Sequence, residues 1–498
     1  MKILRRSFLI LLALLATAPA ALAPNALAQE RPAEGVLRLL PPDAVSEKEI
    51  TAGGRAIAYT ATAGTLSLFD QNGERSAAVF YTAYIAKDAK AGADTTRRPI
   101  TFAFNGGPGA ASTYLNLGLA GPRLIDFGPG GNDGAAAKLA DNPDSWLAFT
   151  DLVMIDPVGT GWSRPAKSDG GSAFWGVRRD ADVMAKVIAL YVVNNSRGAS
   201  PKYLLGESYG GFRAAKVARA LKSDQGIVVT GIVMVSPMLE TGFQWAGLQF
   251  ALGAALHFPT LVATELERTK KFTPEALAEA ERFAMTDYLT MLAGPRPTAD
   301  RANAFYRRIA QLTGLPIDEV AKARGYVRNA YLQHLRASGQ TVSSYDATFV
   351  VADAYPESTS PRGADPMIDG FTRALSGAFV AHARDELGFK TDMTYNLLSH
   401  EIASKWEWGD RRSPPGVSDD LRDLLALAPS FRLLVAHGRA DLVTPYGVSR
   451  YVLDQLPEIG GPDRTQLKLY RGGHMFYFNR DARIAFTAEA KAFYQANP

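Results

Sequence analysis

Residues 203–211 read Tyr-Leu-Leu-Gly-Glu-Ser-Tyr-Gly-Gly, and residues 212–221 continue with the periodicity of a helix. The apolar start of this run predicts a buried strand that leads directly into that helix. Ser208 lies at the turn between them, inside the pattern Gly-x-Ser-x-Gly, whose glycines remove the bulk that would keep strand and helix apart. We therefore expect a strained turn that exposes the Ser208 hydroxyl as a nucleophile; the alternative is an ordinary strand-to-helix turn.

Outward from this turn, short apolar runs alternate with helix-like stretches. The runs cover residues 100–104, 152–156, 203–205, 227–235, 431–436 and 466–470. Runs of this length between helices are typical of parallel strands that are buried on both faces. A hairpin with strands at 64–69 and 77–86 precedes them. The sequence thus predicts an α/β fold of the α/β-hydrolase type, with a mostly parallel central sheet, helices on both faces and an inserted, mainly helical cap.

Longer helical periods set one part of the chain apart from the rest. They include Thr273 and Pro274, which are typical of the cap and the first position of a helix. The predicted segments are an export signal (1–28), a flexible lead-in (29–48), the first part of the α/β core (49–240), the helical cap insertion (241–395) and the second part of the core (396–498).

The N-terminus has the pattern of a bacterial export signal. Lys2, Arg5 and Arg6 precede an apolar run over residues 8–23, and residues 26–28, Ala-Leu-Ala, form a small-x-small cleavage site. The run is short for a membrane-spanning helix, although an uncleaved anchor is the alternative. The arginine pair fits both the twin-arginine and the general secretory route. We expect a periplasmic or secreted protein with no stable membrane insertion after the signal is removed.

The 498-residue chain contains no cysteine, which excludes disulfides, thiolate zinc sites, iron–sulfur clusters and a cysteine nucleophile. Its formal net charge of +4 comes from 54 Lys and Arg against 50 Asp and Glu. Three of the basic residues lie in the export signal, so the mature chain would carry 51 basic against 50 acidic residues. A protein this close to neutral gives no reason to expect nucleic acid as a partner.

A serine hydroxyl needs a base to act as a nucleophile, and His474 is the best placed of the six histidines. It follows the predicted strand 466–470 in a Gly-Gly-His loop near the C-terminus, where this fold type places its base. His257, His334 and His382 lie in the predicted insertion and are expected to be surface or packing residues. A hydrogen-bonded structural histidine is the alternative for His474.

The acid that orients the base should lie between Ser208 and His474 in the chain, at the end of a strand. Asp441 fits because it lies in the loop that leaves the predicted strand 431–436. The alternative for Asp441 is a turn residue that bonds its own backbone ahead of Pro445.

Acyl transfer also needs N–H donors for the developing oxyanion. The amide after the nucleophile, that of Tyr209, is one expected donor, and residues 105–109, Asn-Gly-Gly-Pro-Gly, suit the second role because glycines let a backbone approach a substrate. A phosphate-binding loop is the alternative, but the spacing does not match Gly-x-Gly-x-x-Gly and no Gly-Lys-Ser/Thr follows. His437 and Asp441 have no third ligand in view, so we expect neither a metal nor a cofactor.

Further motifs flank these candidate residues. In chain order they are 105–109 (Asn-Gly-Gly-Pro-Gly) with Ser112, 142–146 (Asn-Pro-Asp-Ser-Trp), 156–163 (Asp-Pro-Val-Gly-Thr-Gly-Trp-Ser), 206–211 (Gly-Glu-Ser-Tyr-Gly-Gly) and 472–475 (Gly-Gly-His-Met). Together they resemble the motifs of the serine carboxypeptidase family, the group of carboxypeptidase Y and cathepsin A, over most of the mature chain.

The resemblance implies an enzyme that removes C-terminal amino acids from peptide substrates. The roles it implies are a catalytic triad of Ser208, Asp441 and His474, an oxyanion hole of Gly107 and Tyr209, and a substrate-carboxylate site of Asn105 and Glu207. A substrate carboxylate next to Glu207 is tolerated only if the two groups share a proton, because adjacent like charges raise one pKa. Peptide binding is therefore expected to be better at acidic pH.

Some positions depart from the pattern of the family. Leu119 stands where members commonly have a second Glu, Ala110 replaces a Cys, and residues 438–441 read Gly-Arg-Ala-Asp instead of Gly-Asp-x-Asp. Leu119 leaves the predicted carboxylate site with one acid instead of two. An esterase or acyltransferase on the same machinery is therefore the alternative function, and an inactive binding protein is a further one.

Overall fold

The structure is a computed structural model that describes residues 35–87, 97–128, 134–246, 250–337, 339–358, 362–410 and 413–496. The predicted export signal, residues 1–28, lies outside the described residues. The beginning of the predicted lead-in, residues 29–34, does so as well.

Strands form a large sheet and two small hairpins. The strands are β1 (Ala44–Ala52), β2 (Arg55–Phe69), β3 (Arg75–Ala86), β4 (Ile100–Phe104), β5 (Arg123–Asp126), β6 (Lys138–Asp141), β7 (Asp151–Ile155), β8 (Arg164–Pro165), β9 (Lys202–Glu207), β10 (Gly231–Val235), β11 (Gln340–Val342), β12 (Val350–Ala352), β13 (Arg432–Gly438) and β14 (Thr465–Tyr470).

Within the described residues, the large sheet has ten strands in the order β1-β2-β3-β7-β4-β9-β10-β13-β14, with β8 paired to β3. The strands from β7 to β14 run parallel, and the strands from β1 to β7 pair antiparallel. All residues of β4, β7, β9 and β10 are buried. This mostly parallel sheet with covered faces confirms the predicted α/β-hydrolase fold.

Helices cover both faces of the sheet. The helices are α1 (Thr113–Leu115), α2 (Val177–Asn194), α3 (Tyr209–Gln225), α4 (Thr241–Ala246), α5 (Ala251–Arg268), α6 (Pro274–Phe283), α7 (Leu289–Ala293), α8 (Ala299–Thr313), α9 (Ile317–Lys322), α10 (Arg328–Ala337), α11 (Pro366–Ala381), α12 (His400–Lys405), α13 (Ser418–Leu427), α14 (Tyr446–Asp454) and α15 (Arg480–Gln495). Side chains alternate along each strand, so Leu204 packs with α2 and α3 on one face, whereas Leu205 packs with α11 and α15 on the other.

Residues 44–48 correct the predicted lead-in. They were expected to be flexible, but they form the first half of β1, which pairs with β2 from Ala44 opposite Ala63 to Ala52 opposite Arg55. Most inward-facing positions of β1 are polar or only partly buried. The strand is thus formed by main-chain pairing with β2, which local apolar periodicity does not reveal.

The apolar run over residues 227–235 also predicted too long a strand. The observed strand, β10, begins at Gly231. Gly226 caps α3 in the left-handed conformation, and the Ile227 amide donates back to the Leu221 carbonyl at 2.9 Å. Ile227 therefore belongs to the end of α3.

Residues 241–395, predicted as a helical insertion, contain α4 to α11 and also the hairpin of β11 and β12. Their apolar side chains belong to separate clusters. Phe258, Phe305 and Tyr331 belong to a cluster built by α5 to α10, whereas Phe371 and Phe379 of α11 pack into the core beneath the sheet. In the part of the chain that is described, no helix combines the length and the apolar character that crossing a membrane requires.

Candidate active site

Ser208 lies between the end of β9 and the first residue of α3, with backbone angles of φ 60° and ψ −126°. A residue with a Cβ rarely adopts this positive φ, so the turn is strained. Hydrogen bonds on both sides hold it: the Ser208 amide donates to Val235 O at 2.9 Å, and the Ser208 carbonyl accepts from Met238 N at 3.1 Å. The nucleophile candidate is thus fixed to the end of the neighbouring strand, β10.

The glycines around Ser208 are required by close approach. A Cβ on Gly206 would collide with the carbonyl oxygen of Gly210, and a Cβ on Gly211 would lie 2.5 Å from the Cβ of Pro237. The strand, the helix and the loop after β10 can therefore meet only without side chains at these positions.

His474 and Asp441 form a hydrogen-bonded pair at the same edge of the sheet. Asp441 lies in the loop after β13, His474 lies in the loop after β14, and both are buried. His474 Nδ1 lies 2.7 Å from Asp441 Oδ2. A carboxylate at this distance keeps the proton on Nδ1, so Nε2 is left as the acceptor. This is the state that a general base requires.

Thr444, which the sequence analysis did not single out, completes the surroundings of Asp441. Its hydroxyl donates to Asp441 Oδ2 at 2.6 Å and lies 3.0 Å from His474 Nδ1. The amides of Val443 and Thr444 donate to Asp441 Oδ1 at 2.8 and 3.0 Å. The aspartate therefore also makes the local turn bonds that were its alternative explanation. The sequence indicated the turn at Asp441, since Asp side chains often accept hydrogen bonds from backbone amides two to three residues on, but it did not indicate the role of the Thr444 hydroxyl.

Ser208 Oγ itself makes no hydrogen bond to any of the described residues. Two consecutive residues nevertheless hold both Ser208 and His474. Val235 O accepts from the Ser208 amide, and Ser236 Oγ donates to His474 O at 2.7 Å. Nucleophile and base are often farther apart without substrate than in the reacting complex.

The run 105–109 packs directly against the Ser208 turn. A Cβ on Gly106 would lie 2.5 Å from Tyr209 N, and Gly107 has a φ of 100° that favours glycine. Among the described residues, the backbone N–H of Tyr209 donates no hydrogen bond. The two expected oxyanion donors are therefore carried by backbone segments in direct contact.

Arg213 holds the 105–109 run to α3, and sequence reasoning missed it. Its guanidinium donates to Asn105 O and, at 2.6 Å, to Asp180 Oδ2, and it lies over the Tyr209 ring with 5.0 Å to the centroid. The side chain is buried, so this charge depends on Asp180 for compensation.

Glu207, adjacent to Ser208, is 3% exposed and accepts two hydrogen bonds on the same oxygen. Asn105 Nδ2 and the Tyr477 hydroxyl each lie 2.7 Å from Glu207 Oε2. Burial raises the pKa of Glu207 to about 7, against the influence of His474 and of both hydrogen bonds. Glu207 can therefore hold a proton at near-neutral pH.

Leu119 contributes no polar side chain to this corner of the site. It is fully buried, and its carbonyl accepts from Asn142 Nδ2 at 2.9 Å. Tyr477 is the second hydrogen-bond partner of Glu207, beside Asn105, and it was not predicted, since no local pattern marks it.

The net pKa of His474 lies above its ordinary value. Burial by itself lowers it, but the carboxylate of Asp441 and, farther away, that of Glu207 outweigh the burial. A raised pKa makes His474 a stronger base.

Residues 343–349, here called the bridging segment, join the predicted insertion to the loops of Asp441 and His474. The backbone of Ser344 and Ala347 bonds to Leu442 and Ala440, each at 3.0 Å. The Tyr345 carbonyl accepts from His474 N at 2.5 Å, and its ring meets the imidazole edge-on with centroids 5.3 Å apart. Nothing in the sequence indicated this contact.

Among the described residues, the other histidines form no hydrogen bond with Ser208, Asp441 or His474. His437 Nε2 lies 2.8 Å from Ser449 Oγ, and burial lowers the pKa of His437 to about 3. His257 and His382 are buried too, in α5 and directly after α11, whereas His334 is partly exposed. Among the described residues, no group of three or more His, Cys, Asp or Glu side chains is arranged to hold a metal.

Several solved structures are similar to the chain at low identity. Proline iminopeptidase of Mycobacterium smegmatis is 14% identical over 91% of this chain and 98% of its own, with a TM-score of 0.34. A carboxyl esterase of Bacillus coagulans is 14% identical over 87% and 98%, with a TM-score of 0.37. Homoserine O-acetyltransferase of Bacillus anthracis is 11% identical over 91% and 98%, with a TM-score of 0.38. No curated protein matches the sequence significantly.

One family model also matches most of the chain. The family described as serine carboxypeptidase matches residues 60–486, which include β3 to β14 and every candidate residue of the site. The protein therefore belongs to the serine carboxypeptidase family.

Proposed function

We propose that this protein is a carboxypeptidase that releases C-terminal amino acids from peptides through an acyl-enzyme on Ser208. The observation that carries the proposal is Glu207, a buried carboxyl group directly beside Ser208 whose pKa burial raises to about 7. A protonated carboxyl group can share its proton with the terminal carboxylate of a substrate, which a simple ester does not possess.

In the proposed reaction, Ser208 Oγ attacks the carbonyl carbon of the last peptide bond while its proton passes to His474 Nε2. Asp441 holds the Nδ1 proton of His474 through the 2.7 Å hydrogen bond and stabilises the imidazolium. The C–N bond breaks, and the departing amino acid takes the proton from Nε2. A water molecule then attacks the acyl carbon while it gives a proton to His474. The bond from Ser208 Oγ to the acyl carbon breaks, His474 returns the proton to Ser208 Oγ, and the shortened peptide leaves as the acid.

The tetrahedral oxyanion of each step is assigned to the amides of Tyr209 and Gly107. Support comes from the contact of Gly106 with the Tyr209 amide, which places the two backbone segments side by side. Arg213 holds the carbonyl of Asn105 and so limits movement of this loop.

The second candidate function is an esterase or acyltransferase that uses the same groups. Leu119 favours it, because a fully buried apolar side chain cannot help to bind a carboxylate. A panel of one peptide as free acid, as C-terminal amide and as a simple ester separates the two functions, with products identified by mass spectrometry. We expect preference for the free acid; equal cleavage of acid and amide, or cleavage of the ester alone, would contradict the proposal.

The role of Ser208 is tested by a fluorophosphonate probe, which labels activated serines. Labelling should be lost in Ser208→Ala and retained in Ser223→Ala. The hydroxyl of Ser223 lies on the same helix and donates to Arg219 O at 3.1 Å. Failure of the folded protein to be labelled at Ser208 would support a binding protein instead of an enzyme.

We further propose export from the cytoplasm, supported by residues 1–28 of the sequence. Sequencing the N-terminus of the protein recovered outside the cytoplasm should give Gln29 as the first residue. Recovery of the uncleaved chain with the membranes would instead indicate an anchor.

A further inference from the structure

The two hydrogen bonds to Glu207 are unevenly distributed over its carboxyl group. Asn105 Nδ2 and Tyr477 OH both donate to Oε2, each at 2.7 Å, and Oε1 accepts none from the described residues. An oxygen that accepts two hydrogen bonds is the poorer position for a proton. The acid form of Glu207 therefore carries its proton on Oε1, which can donate outward.

The hydroxyl of Tyr477 keeps its proton and so remains a hydrogen-bond donor to Glu207. Its side chain is fully buried, and burial together with Glu207 raises the pKa of its hydroxyl well above the ordinary value. The phenol therefore keeps its proton at any pH at which the protein works. Its ring packs closely against Gly118, where a Cβ would lie 2.7 Å from Tyr477 Cε2.

The remaining titratable groups around Glu207 do not provide a second donor of this kind. His474 and Asp441 influence the pKa of Glu207 through their charge, and the charge of Glu207 in turn raises the pKa of Tyr114 in α1 and of Tyr345 in the bridging segment. Asp441 already bonds His474, and the Tyr114 hydroxyl lies 2.7 Å from Thr372 Oγ1. Tyr477 and Asn105 are thus the donors that orient the acid.

We propose that Tyr477 is a positioning residue for the recognition of the substrate's terminal carboxylate: its hydroxyl fixes Glu207 Oε2, so that the proton on Oε1 faces the substrate. The inference rests on the proposed carboxypeptidase function and names a residue that acts through Glu207, without touching the reacting atoms. Tyr477 follows His474 closely in the chain, so one loop would carry both the base and the support of the carboxylate site.

The test is Tyr477→Phe, which keeps the buried ring and removes only the hydroxyl. We expect the KM for a free-acid peptide at pH 5 to rise about fivefold, the effect of losing one buried hydrogen bond. The pH above which this KM increases should move upward. The charged form of Glu207 loses a hydrogen-bond donor, so burial raises the pKa of Glu207 further than in the wild type. The kcat for the same peptide and both constants for a neutral ester should stay within about twofold of the wild-type values.

Tyr470→Phe is the matched control. Tyr470 is also buried in this region, and its hydroxyl has no partner within the described part of the chain, so its removal should leave the KM and the pH profile unchanged. A second comparison uses Glu207→Gln, in which the side chain stays neutral at every pH. Adding Tyr477→Phe to Glu207→Gln should produce no further shift in the pH dependence of KM.

The outcomes separate the inference from the proposed function. If the wild type prefers the free acid but Tyr477→Phe leaves its KM and pH profile unchanged, the role of Tyr477 is refuted and the carboxypeptidase stands. An equal loss for free acid and ester, or a shift in the pH dependence of KM that persists in the Glu207→Gln background, would mean that Tyr477 does not act through Glu207. If the wild type cleaves acid and amide equally, the proposed function itself is wrong.

Discussion

Asp346 Oδ2 accepts the backbone N–H of Gly473 at 3.0 Å, one residue before His474. Its other oxygen, Oδ1, accepts from the amide of Thr348 at 2.9 Å and from its hydroxyl at 2.6 Å. Both oxygens of Asp346 thus accept hydrogen bonds, and the carboxylate joins the bridging segment to the loop of His474. Part of the predicted insertion therefore sets the position of His474.

Asp346→Asn tests this link. The amide NH₂ would have to face a backbone N–H on one side or the other, so we expect kcat to fall about tenfold through a displaced His474. Steady-state kinetics with a neutral ester provide the measurement. Asp369→Asn, on the exposed side of α11, is the control and should keep full kcat. Unchanged kcat in Asp346→Asn would show that the His474 loop needs no such support.

Thr444→Val removes the hydroxyl that donates to Asp441 Oδ2 and keeps the shape of the side chain. Loss of a hydrogen bond to a buried carboxylate should lower kcat/KM about tenfold for esters and peptides alike. The matched control is Thr313→Val, because Thr313 is a buried threonine in α8 whose hydroxyl donates to Ile309 O of its own helix. A loss confined to peptides would contradict a role in orienting His474.

Ser208→Gly and Ser208→Ala should both be inactive but differ in stability. Glycine adopts φ 60° without the clash of a Cβ, whereas alanine keeps it. We expect the glycine variant to be more stable than the alanine variant by about 1 kcal/mol, after the greater entropy of unfolded glycine is counted. Urea unfolding followed by circular dichroism measures the difference. A glycine variant less stable than alanine would argue against strain at this turn.

The pH profiles of peptide and ester cleavage should differ. In the proposed mechanism His474 must be neutral to accept a proton, so kcat/KM for both substrates falls as the pH drops through its pKa, which lies above the ordinary histidine value because the Asp441 carboxylate outweighs burial. Glu207 must be protonated to bind a carboxylate, and its pKa of about 7 means that peptide binding weakens as the pH rises through that value. The peptide profile should therefore be bell-shaped, whereas the ester profile should reach a plateau.

Glu207→Gln isolates the second limb. The glutamine cannot ionise, so the alkaline fall for the peptide should disappear while the acid limb, set by His474, stays. Rates measured from pH 4 to 9 with both substrates decide this. An alkaline limb that persists in the variant would have to come from another group.

The local sequence predicts the parts of the fold that depend on short-range patterns of residues. The apolar runs predict the buried parallel strands because side chains buried on both faces leave no polar position. The spacing of Gly206, Ser208 and Gly210 predicts the turn because only glycines allow strand and helix to meet there. The loops of Asp441 and His474 could be placed at one sheet edge because parallel strands end on the same side.

Contacts between distant segments could not be predicted from the local sequence. Gly473 and Asp346 are 127 residues apart, and Tyr477 and Glu207 are 270 apart, so no window of sequence contains either pair. β1 likewise depends on pairing with β2, since its own residues lack an apolar period. The sequence alone therefore determined which residue types stand at the strand ends. The packing of the insertion and of the C-terminal loop against the sheet decided which partners orient them, because that packing depends on surfaces assembled from the whole chain.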